Sequence, residues 1–361
     1  MRPDPRFYAC IIAGGSGERF WPMSRVSAPK HLLKIFSERT LLEQTVLRLK
    51  GVVPRRNIWI LTNRSQVARV RRALPGFPRG QIVAEPSRRD TAPAAALATG
   101  LVHARNPDGV LAILPADALI KDTARFAQQL DQAFHWAAQR ADGGPGHGLL
   151  TFAVTPTYPA TGYGYLELGP ELARGRHGSR LLRVKRFVEK PDLRTARSYL
   201  AGRCHAWNAG IFVWSARSFL EEVGRTAPRL ARFVRDFPRG DPARYLARRF
   251  GALPRTSVDY AVLEKAAMVA TVVARFDWDD VGSWSALHKH FKADPSGNIF
   301  LGQVAAVGAA NTIAVSNGRV IGLCGVRDLV VVETPDAVLV CHKDCLQEIK
   351  KLLPSLPRHI V

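Results

Sequence analysis

The sequence predicts an α/β fold: a Rossmann-like, mixed but mainly parallel sheet, followed by a small β-rich C-terminal domain. Three observations predict it. Short apolar runs alternate with helical patterns over the first half, as parallel strands with crossover helices require. Several of these runs end in Gly, Glu or Asp, where a parallel sheet binds its ligands. Beyond Asp294-Pro295-Ser296-Gly297-Asn298 the pattern changes to short β runs. The two parts are expected to be residues 1–293 and 298–361.

Residues 8–13 read as a buried strand. Gly14, Gly15, Ser16 and Gly17 follow, where backbone N–H groups can approach an anion without obstruction by a Cβ. Arg19, Arg25 and Lys30 add fixed cations, a composition suited to a triphosphate. The loop is not a P-loop, because Glu18 and Arg19 follow Gly17 in place of Lys-Ser/Thr. Nor is it a dinucleotide fingerprint, whose third glycine is replaced by Phe20. Pro22 and Pro29 oppose a long helix directly after it.

Thr40-Leu41-Leu42-Glu43 is a capping box opening a helix to about residue 50. Then come a strand at 58–62, a helix at 65–73, and a strand at 82–84 ending in Glu85-Pro86. A helix at 91–104 precedes a strand at 110–114 that delivers Pro115-Ala116-Asp117. In the middle third, 149–154, 164–168 and 181–188 read as strands, with a Gly/Arg-rich loop at 169–180. A helix at 193–200 and a strand at 206–214, carrying Trp207-Asn208-Ala209-Gly210, come next. Residues 218–267 are mostly helical, and a strand at 269–276 presents Asp277-Trp278-Asp279-Asp280-Val281-Gly282-Ser283-Trp284.

The tail holds apolar runs at 312–315, 320–324, 329–333 and 337–340, then a short helix at 344–353. Asn317-Gly318 between the first two is a hairpin signal. So small a β segment is expected to pack on the main domain or on another subunit.

Composition narrows the function classes. With 47% hydrophobic and 8% aromatic residues, the chain can build a core. No apolar run reaches the roughly 18–20 residues of a membrane span, and the N-terminus is a poor signal peptide. Five scattered cysteines argue against a disulfide framework, so a cytoplasmic location is expected. The net charge of +22 comes from arginines spread along the chain, with no nucleic-acid motif. It suits a field that concentrates small anionic substrates, and no specific nucleic-acid function is expected.

Gly14-Gly15-Ser16-Gly17-x-Arg19, Trp21-Pro22, Ser24-Arg25 and Pro29-Lys30 together resemble the N-terminal loop of the sugar-nucleotide pyrophosphorylases. The mannose-1-phosphate guanylyltransferase branch is most similar, and later motifs extend the resemblance over most of the chain. It implies attack of a sugar 1-phosphate on the α-phosphorus of a nucleoside triphosphate, with GTP and mannose 1-phosphate as substrates. A phosphate nucleophile is already mostly ionised at neutral pH, so the reaction needs positioning and charge neutralisation more than a general base.

By resemblance, Arg19 steadies the β/γ-phosphates and Lys30 lies near the α-phosphate. Asp117, in Leu-Pro-Ala-Asp, and Asp280, in Asp-Val-Gly-Ser-Trp, hold Mg²⁺, with Asp277 and Asp279 open as substitutes. Ala13, Gly14, Gly15, Ser16 and Gly17 belong to the nucleotide site, as do Glu85, Asp90 and Thr91. Lys190 holds the sugar's phosphate, while Glu189, Asn208 and Gly164 complete the sugar pocket. A carboxylate can accept from guanine N1–H and the exocyclic amine together, which favours GTP; which carboxylate does so stays open.

The chain departs from the family pattern at Asp90, where Asn is usual, at Glu18, where Thr is common, and at His31, where Gln is common. An extra negative charge at Asp90 is expected to weaken the nucleotide or shift the base contact. The resemblance also implies a short left-handed β-helix in the tail and a homodimer. Alternatives are a guanylyltransferase for another hexose or a heptose 1-phosphate, and a catalytically silent regulatory subunit that senses GDP-sugars. Any isomerase activity is expected from another protein.

Overall fold

The computed structural model describes residues 3–15, 17–141 and 148–361. It divides into two compact units, one of Met1–Gly14, Thr45–Ala116 and Ile120–Trp278, the other of Gly15–Gln44, Asp117–Leu119 and Asp279–Val361.

The first half of the chain carries β1 (Phe7–Ala13), α1 (Leu41–Leu47), β2 (Ile58–Asn63), α2 (Val67–Ala73), β3 (Ile82–Glu85), α3 (Thr91–Arg105), β4 (Val110–Pro115) and α4 (Thr123–Ala141). The Thr40–Glu43 capping box forms at the start of α1: Thr40 N donates to Glu43 Oε2 at 2.7 Å, and Glu43 N to Thr40 Oγ1 at 3.1 Å. Next come β5 (Leu149–Val154), β6 (Tyr165–Arg174), β7 (Arg180–Val188), α5 (Leu193–Gly202), β8 (His205–Ser215), α6 (Ala216–Thr226), α7 (Pro228–Arg235), α8 (Ala243–Arg249) and β9 (Val269–Val273).

Among the described residues of the first unit, nine strands form one sheet in the order β3-β2-β1-β4-β8-β5-β9-β7-β6. The ladders β3-β2-β1-β4 and β5-β9 are parallel, while β7 and β8 run against the rest. β1 and β4 are almost wholly buried, which is why they read as continuous apolar runs rather than alternating ones. Alanines along α3 bring that helix close to the sheet, and α6 and α7 pack beside it around Trp214, Phe219 and Phe233. Trp59, Trp136 and Trp214 are all core residues, the last donating its Nε1–H to Thr99 Oγ1 at 3.1 Å.

Two expectations need correction here. The segment 169–180 is not all loop: β6 runs to Arg174 against β7, and the turn between them is short. Register shifts at Leu168, Glu171 and Ala173 break the apolar alternation, and Glu171 holds Arg174 and Arg180 in ion pairs, so the strand carries no period-2 signal. The sequence reading also leaves α4 unassigned. Its buried Phe126, Leu130, Phe134 and Ala137 recur at helical spacing, so the signal was present.

In the second unit, β10 (Ile299–Leu301), β12 (Ile313–Val315) and β14 (Leu329–Thr334) form a parallel ladder, with β15 (Ala337–His342) antiparallel at its edge. β11 (Val304–Val307) pairs in parallel with β13 (Ile321–Cys324). Asn317-Gly318 therefore does not make a hairpin, because β12 and β13 belong to different ladders. Glu333 Oε2 accepts from Asn317 N at 2.9 Å and Arg319 N at 3.1 Å, so this buried acid holds the turn in place of a cross-strand partner. Chain that steps between parallel ladders in this way is β-helical.

The core of this unit gathers Phe20, Trp21, Trp284, Ile313, Val330, Val332 and Leu339. Trp21 Nε1 donates to Ile360 O at 2.8 Å, and Trp284 Nε1 to Trp21 O at 3.2 Å.

Candidate active site

In the second unit the loop after Gly14 folds around Lys30. Gly17 takes φ +70°, the left-handed region, and a Cβ there would lie 2.2 Å from Lys30 Cβ, so only glycine lets the lysine stem through. Ser24 Oγ donates to Gly17 O at 2.5 Å and pins the turn. Lys30 is 7% exposed. Its Nζ lies 2.9 Å from Asp117 Oδ2 and donates to Asp280 O at 2.5 Å. Burial raises the Asp117 pKa, but the charge and hydrogen bond of Lys30 outweigh it and hold the carboxyl below its ordinary value. Next to it, burial lowers the His31 pKa to about 4, so the imidazole is neutral at pH 7.

Arg19 Nη1 donates to Gly282 O at 3.1 Å, within the loop that carries Asp280. A Cβ on Gly282 would stand 2.8 Å from Asp280 Oδ2 and 3.3 Å from Arg19 Nη1, so the guanidinium and the carboxylate flank the same backbone. Val281 between them has φ +49°, a costly conformation for a β-branched residue. Asp279 holds it there: Oδ1 accepts from Val281 N at 2.8 Å, while Oδ2 meets His290 Nε2 and Lys289 Nζ at 3.2 Å. Asp277, in the first unit, accepts from the backbone N–H groups of Lys121 and Asp122. Asp277 is thus committed to backbone, and Asp279 to backbone through Oδ1 and to His290 and Lys289 through Oδ2. Asp117 and Asp280 are hard oxygen donors of the kind a magnesium ion shares with phosphate and water.

Arg25 departs from its expected place among the triphosphate cations. Both its Nη atoms reach Asp336, each at 2.5 Å, and Nε donates to Pro22 O at 2.9 Å. The hydrogen bond from Arg25 lowers the Asp336 pKa to about 2.

In the first unit, Ala13 and Gly14 end β1, and their carbonyls accept from Thr62 Oγ1 at 2.7 Å and Asn63 Nδ2 at 2.9 Å. A Cβ on Gly14 would be 4.0 Å from Glu85 Oε2. Glu85 closes β3, is 8% exposed, and its Oε1 is buried without a hydrogen-bond partner. Burial raises its pKa to about 7.

Asp90 caps α3, accepting from Thr91 N at 2.7 Å, and has φ +70°. With ψ −174° that conformation is one glycine adopts most readily, so Asp and Asn are strained there alike, while the helix N-terminus favours the anion. That geometry accommodates Asp in place of Asn. Thr91 Oγ1 accepts from Val258 N at 2.9 Å, tying the start of α3 to the segment before β9. Ser16 lies outside the described residues, and Gly15 has no atom within 4 Å of a Cβ position.

Gly164, Glu189, Lys190 and Asn208 come together in this unit. A Cβ on Gly164 would fall 2.7 Å from Glu189 Oε2, and its carbonyl accepts from Asn208 N at 2.9 Å. Glu189 forms an ion pair with Lys190, whose backbone takes φ +46°. Asn208 Oδ1 accepts from Thr151 Oγ1 at 2.6 Å and Gly210 N at 3.3 Å. Its Nδ2 donates to Asp259 Oδ1 at 3.3 Å. Asp259 escaped the sequence reading because it lies in a stretch read as plain helix. Gly164→Ala is expected to displace the Glu189 side chain, because a Cβ there would lie 2.7 Å from Glu189 Oε2. A crystal structure of the variant checks this.

A buried lysine bonded to the Asp117 carboxylate and the Asp280 carbonyl is a fixed cation of the kind phosphate chemistry uses. The nucleotidyl transferase family matches residues 8–297, and the mannoseP isomerase/GMP-like beta-helix domain matches residues 302–356. The chain belongs to the nucleotidyl transferase family. It is 38% identical to xanthan biosynthesis protein XanB of Xanthomonas campestris over 96% of this chain and 72% of that protein. It is 35% identical to mannose-1-phosphate guanylyltransferase of Escherichia coli K12, over 97% and 73% of the two chains. A crystal structure described as mannose-1-phosphate geranyltransferase from Thermus thermophilus is 33% identical, with a TM-score of 0.85 over 97% of this chain and 99% of that one. Among the described residues, no helix is long and apolar enough to cross a membrane.

Proposed function

We propose that the protein transfers GMP from GTP to mannose 1-phosphate, giving GDP-mannose and pyrophosphate. The observation that carries this reading is the buried Lys30 ammonium held between Asp117 and the Asp280 loop, a fixed cation with two oxygen donors beside it. A phosphate oxygen of the sugar 1-phosphate attacks the α-phosphorus, a new P–O bond forms, and pyrophosphate leaves with the bonding electrons of the α–β bridge. Lys30 offsets charge at the α-phosphate, and Arg19 at the leaving β/γ-phosphates. Asp117 and Asp280 would hold Mg²⁺, which supplies further charge neutralisation on the phosphates.

Glu85 reads the base, since its orphaned oxygen offers an acceptor to guanine N1–H and the exocyclic amine. Ala13, Gly14, Gly15, Ser16 and Gly17, with Asp90 and Thr91, form the rest of the nucleotide site. Gly164, Glu189 and Asn208 take the sugar hydroxyls, and Lys190 takes its phosphate. We assign catalysis to residues 1–293 and subunit contact to 298–361, as a homodimer. Val338 and Val340, exposed on the edge strand β15, support that contact. A cytoplasmic location accords with five free cysteines.

Pyrophosphate release over a matrix of nucleoside triphosphates and sugar 1-phosphates, with and without Mg²⁺, tests the reading. Release confined to GTP with mannose 1-phosphate and dependent on Mg²⁺ is expected. Another sugar with GTP would change the substrate but keep the mechanism. Binding of GDP-mannose without turnover would overturn the catalytic reading in favour of a sensing role.

A further inference from the structure

Asp259 is a half-buried acid with no place in the reaction just described. It opens a π-helical turn, Asp259–Leu263, a geometry that inserts an extra residue and is frequent at functional sites. The turn is fixed to the start of α3 by two bonds, Val258 N to Thr91 Oγ1 at 2.9 Å and Ala92 N to Thr256 O at 3.1 Å. Its carboxylate accepts from Asn208 Nδ2. Together with the bonds that Asn208 Oδ1 accepts from Thr151 and Gly210, that bond holds the amide in one orientation and leaves one N–H of Asn208 to meet a sugar hydroxyl. The charged groups that face Asp259 are Glu189 and Lys190, just beyond β7, and Asp90, at the N-cap of α3.

We propose that Asp259 is a positioning residue for the sugar 1-phosphate, holding the Asn208 amide in its sugar-binding orientation and doing so in its uncharged form once substrate is bound. This rests on the assignment of Glu189, Lys190 and Asn208 to the sugar. The uncharged form follows from the local electrostatics. Lys190 is paired with Glu189 in the free protein. When the sugar's phosphate draws the lysine away, Asp259 faces Glu189 with less positive charge nearby, and a second anion there is disfavoured. Burial first, and then the charge of Glu189, already push the Asp259 pKa up to about 7. A protonated carboxyl still accepts from Asn208 through its C=O.

The test compares Asp259→Ala and Asp259→Asn with the wild type, measuring KM for each substrate at saturating co-substrate between pH 6.5 and 8.5. Wild-type turnover tests the functional reading, and the sugar 1-phosphate it accepts is then used for the variants. Asp259→Ala is expected to raise the sugar KM at least tenfold and the GTP KM less than twofold. Asp259→Asn, which keeps an acceptor and cannot ionise, is expected to stay within threefold of wild type at pH 7. It should also lose the rise in sugar KM that wild type shows above pH 7. Parallel rises in both KM values would overturn the proposal. So would a pH dependence that persists in Asp259→Asn, or an Asn variant as impaired as the Ala variant.

Discussion

Lys30→Ala is expected to lower kcat by roughly a thousandfold, about 4 kcal/mol of transition-state stabilisation, while the protein still folds. The size follows from where the ammonium sits. It is buried, its Nζ is 2.9 Å from Asp117 Oδ2, and the Asp280 carbonyl fixes it from the other side. A cation so placed needs no reorganisation when charge builds on the α-phosphate, and in a water-poor setting its field is weakly screened. No neighbour replaces it. His31 is held neutral by burial, and Arg25 is engaged by Asp336. Lys30→Arg should not rescue, because a planar fork cannot present its charge as the compact ammonium does between Asp117 and the Asp280 carbonyl.

The measurement is single-turnover pyrophosphate release, with thermal melting alongside. A modest fall in Tm is expected, since Asp117 loses the charge that keeps its carboxylate ionised. Turnover within tenfold of wild type would remove Lys30 from the chemistry.

How much of this was legible in the sequence follows from which signals are local. The buried strands β1 and β4 are apolar throughout and the capping box is a four-residue pattern, so each announces itself. Gly17 was likewise legible, because a left-handed backbone against the Lys30 stem demands glycine. Illegible features depend on partners far along the chain. β6 survives on bulged backbone pairing and ion pairs with no apolar alternation, so its C-terminal half read as loop. Asn317-Gly318 read as a hairpin because the turn itself cannot reveal that Glu333, sixteen residues on, binds its N–H groups.

In the same way nothing local marks Asp259 as the partner of Asn208, 51 residues away. The three acids near Trp278 are the sharpest case. Only the bonds made by Asp277 and Asp279 to backbone leave Asp280 as the residue whose carboxylate stands beside Arg19.

Glu85→Gln is expected to weaken use of GTP about a hundredfold in kcat/KM and, at the same time, to make the protein more stable at pH 8. Both effects come from one buried carboxylate. In the proposed site the ionised carboxylate would accept two donors from guanine, each charge-assisted bond contributing roughly 1.5–3 kcal/mol, whereas a neutral amide would contribute one weaker bond. Inosine triphosphate lacks the exocyclic amine, so the wild type should favour GTP over it by at least tenfold and the variant by twofold or less.

The stability term has the opposite sign. The folded pKa, about 7, lies above the ordinary glutamate value of 4.5, so the folded state holds a proton that the unfolded chain releases between those values. Glu85 therefore costs nothing below pH 4.5, and the penalty grows until pH passes 7, where it reaches about 3 kcal/mol. Glutamine escapes it, so the Tm difference between variant and wild type should widen from pH 5 to pH 8. For the wild type, kcat/KM for GTP should climb as pH rises through 7, since guanine binds the ionised form, and that limb should be flat in the variant. An unchanged preference for GTP over inosine triphosphate would move the base contact elsewhere, with Asp90 the next carboxylate to test. An unchanged preference together with the expected gain in stability would show that Glu85 is buried at a cost that base recognition does not explain.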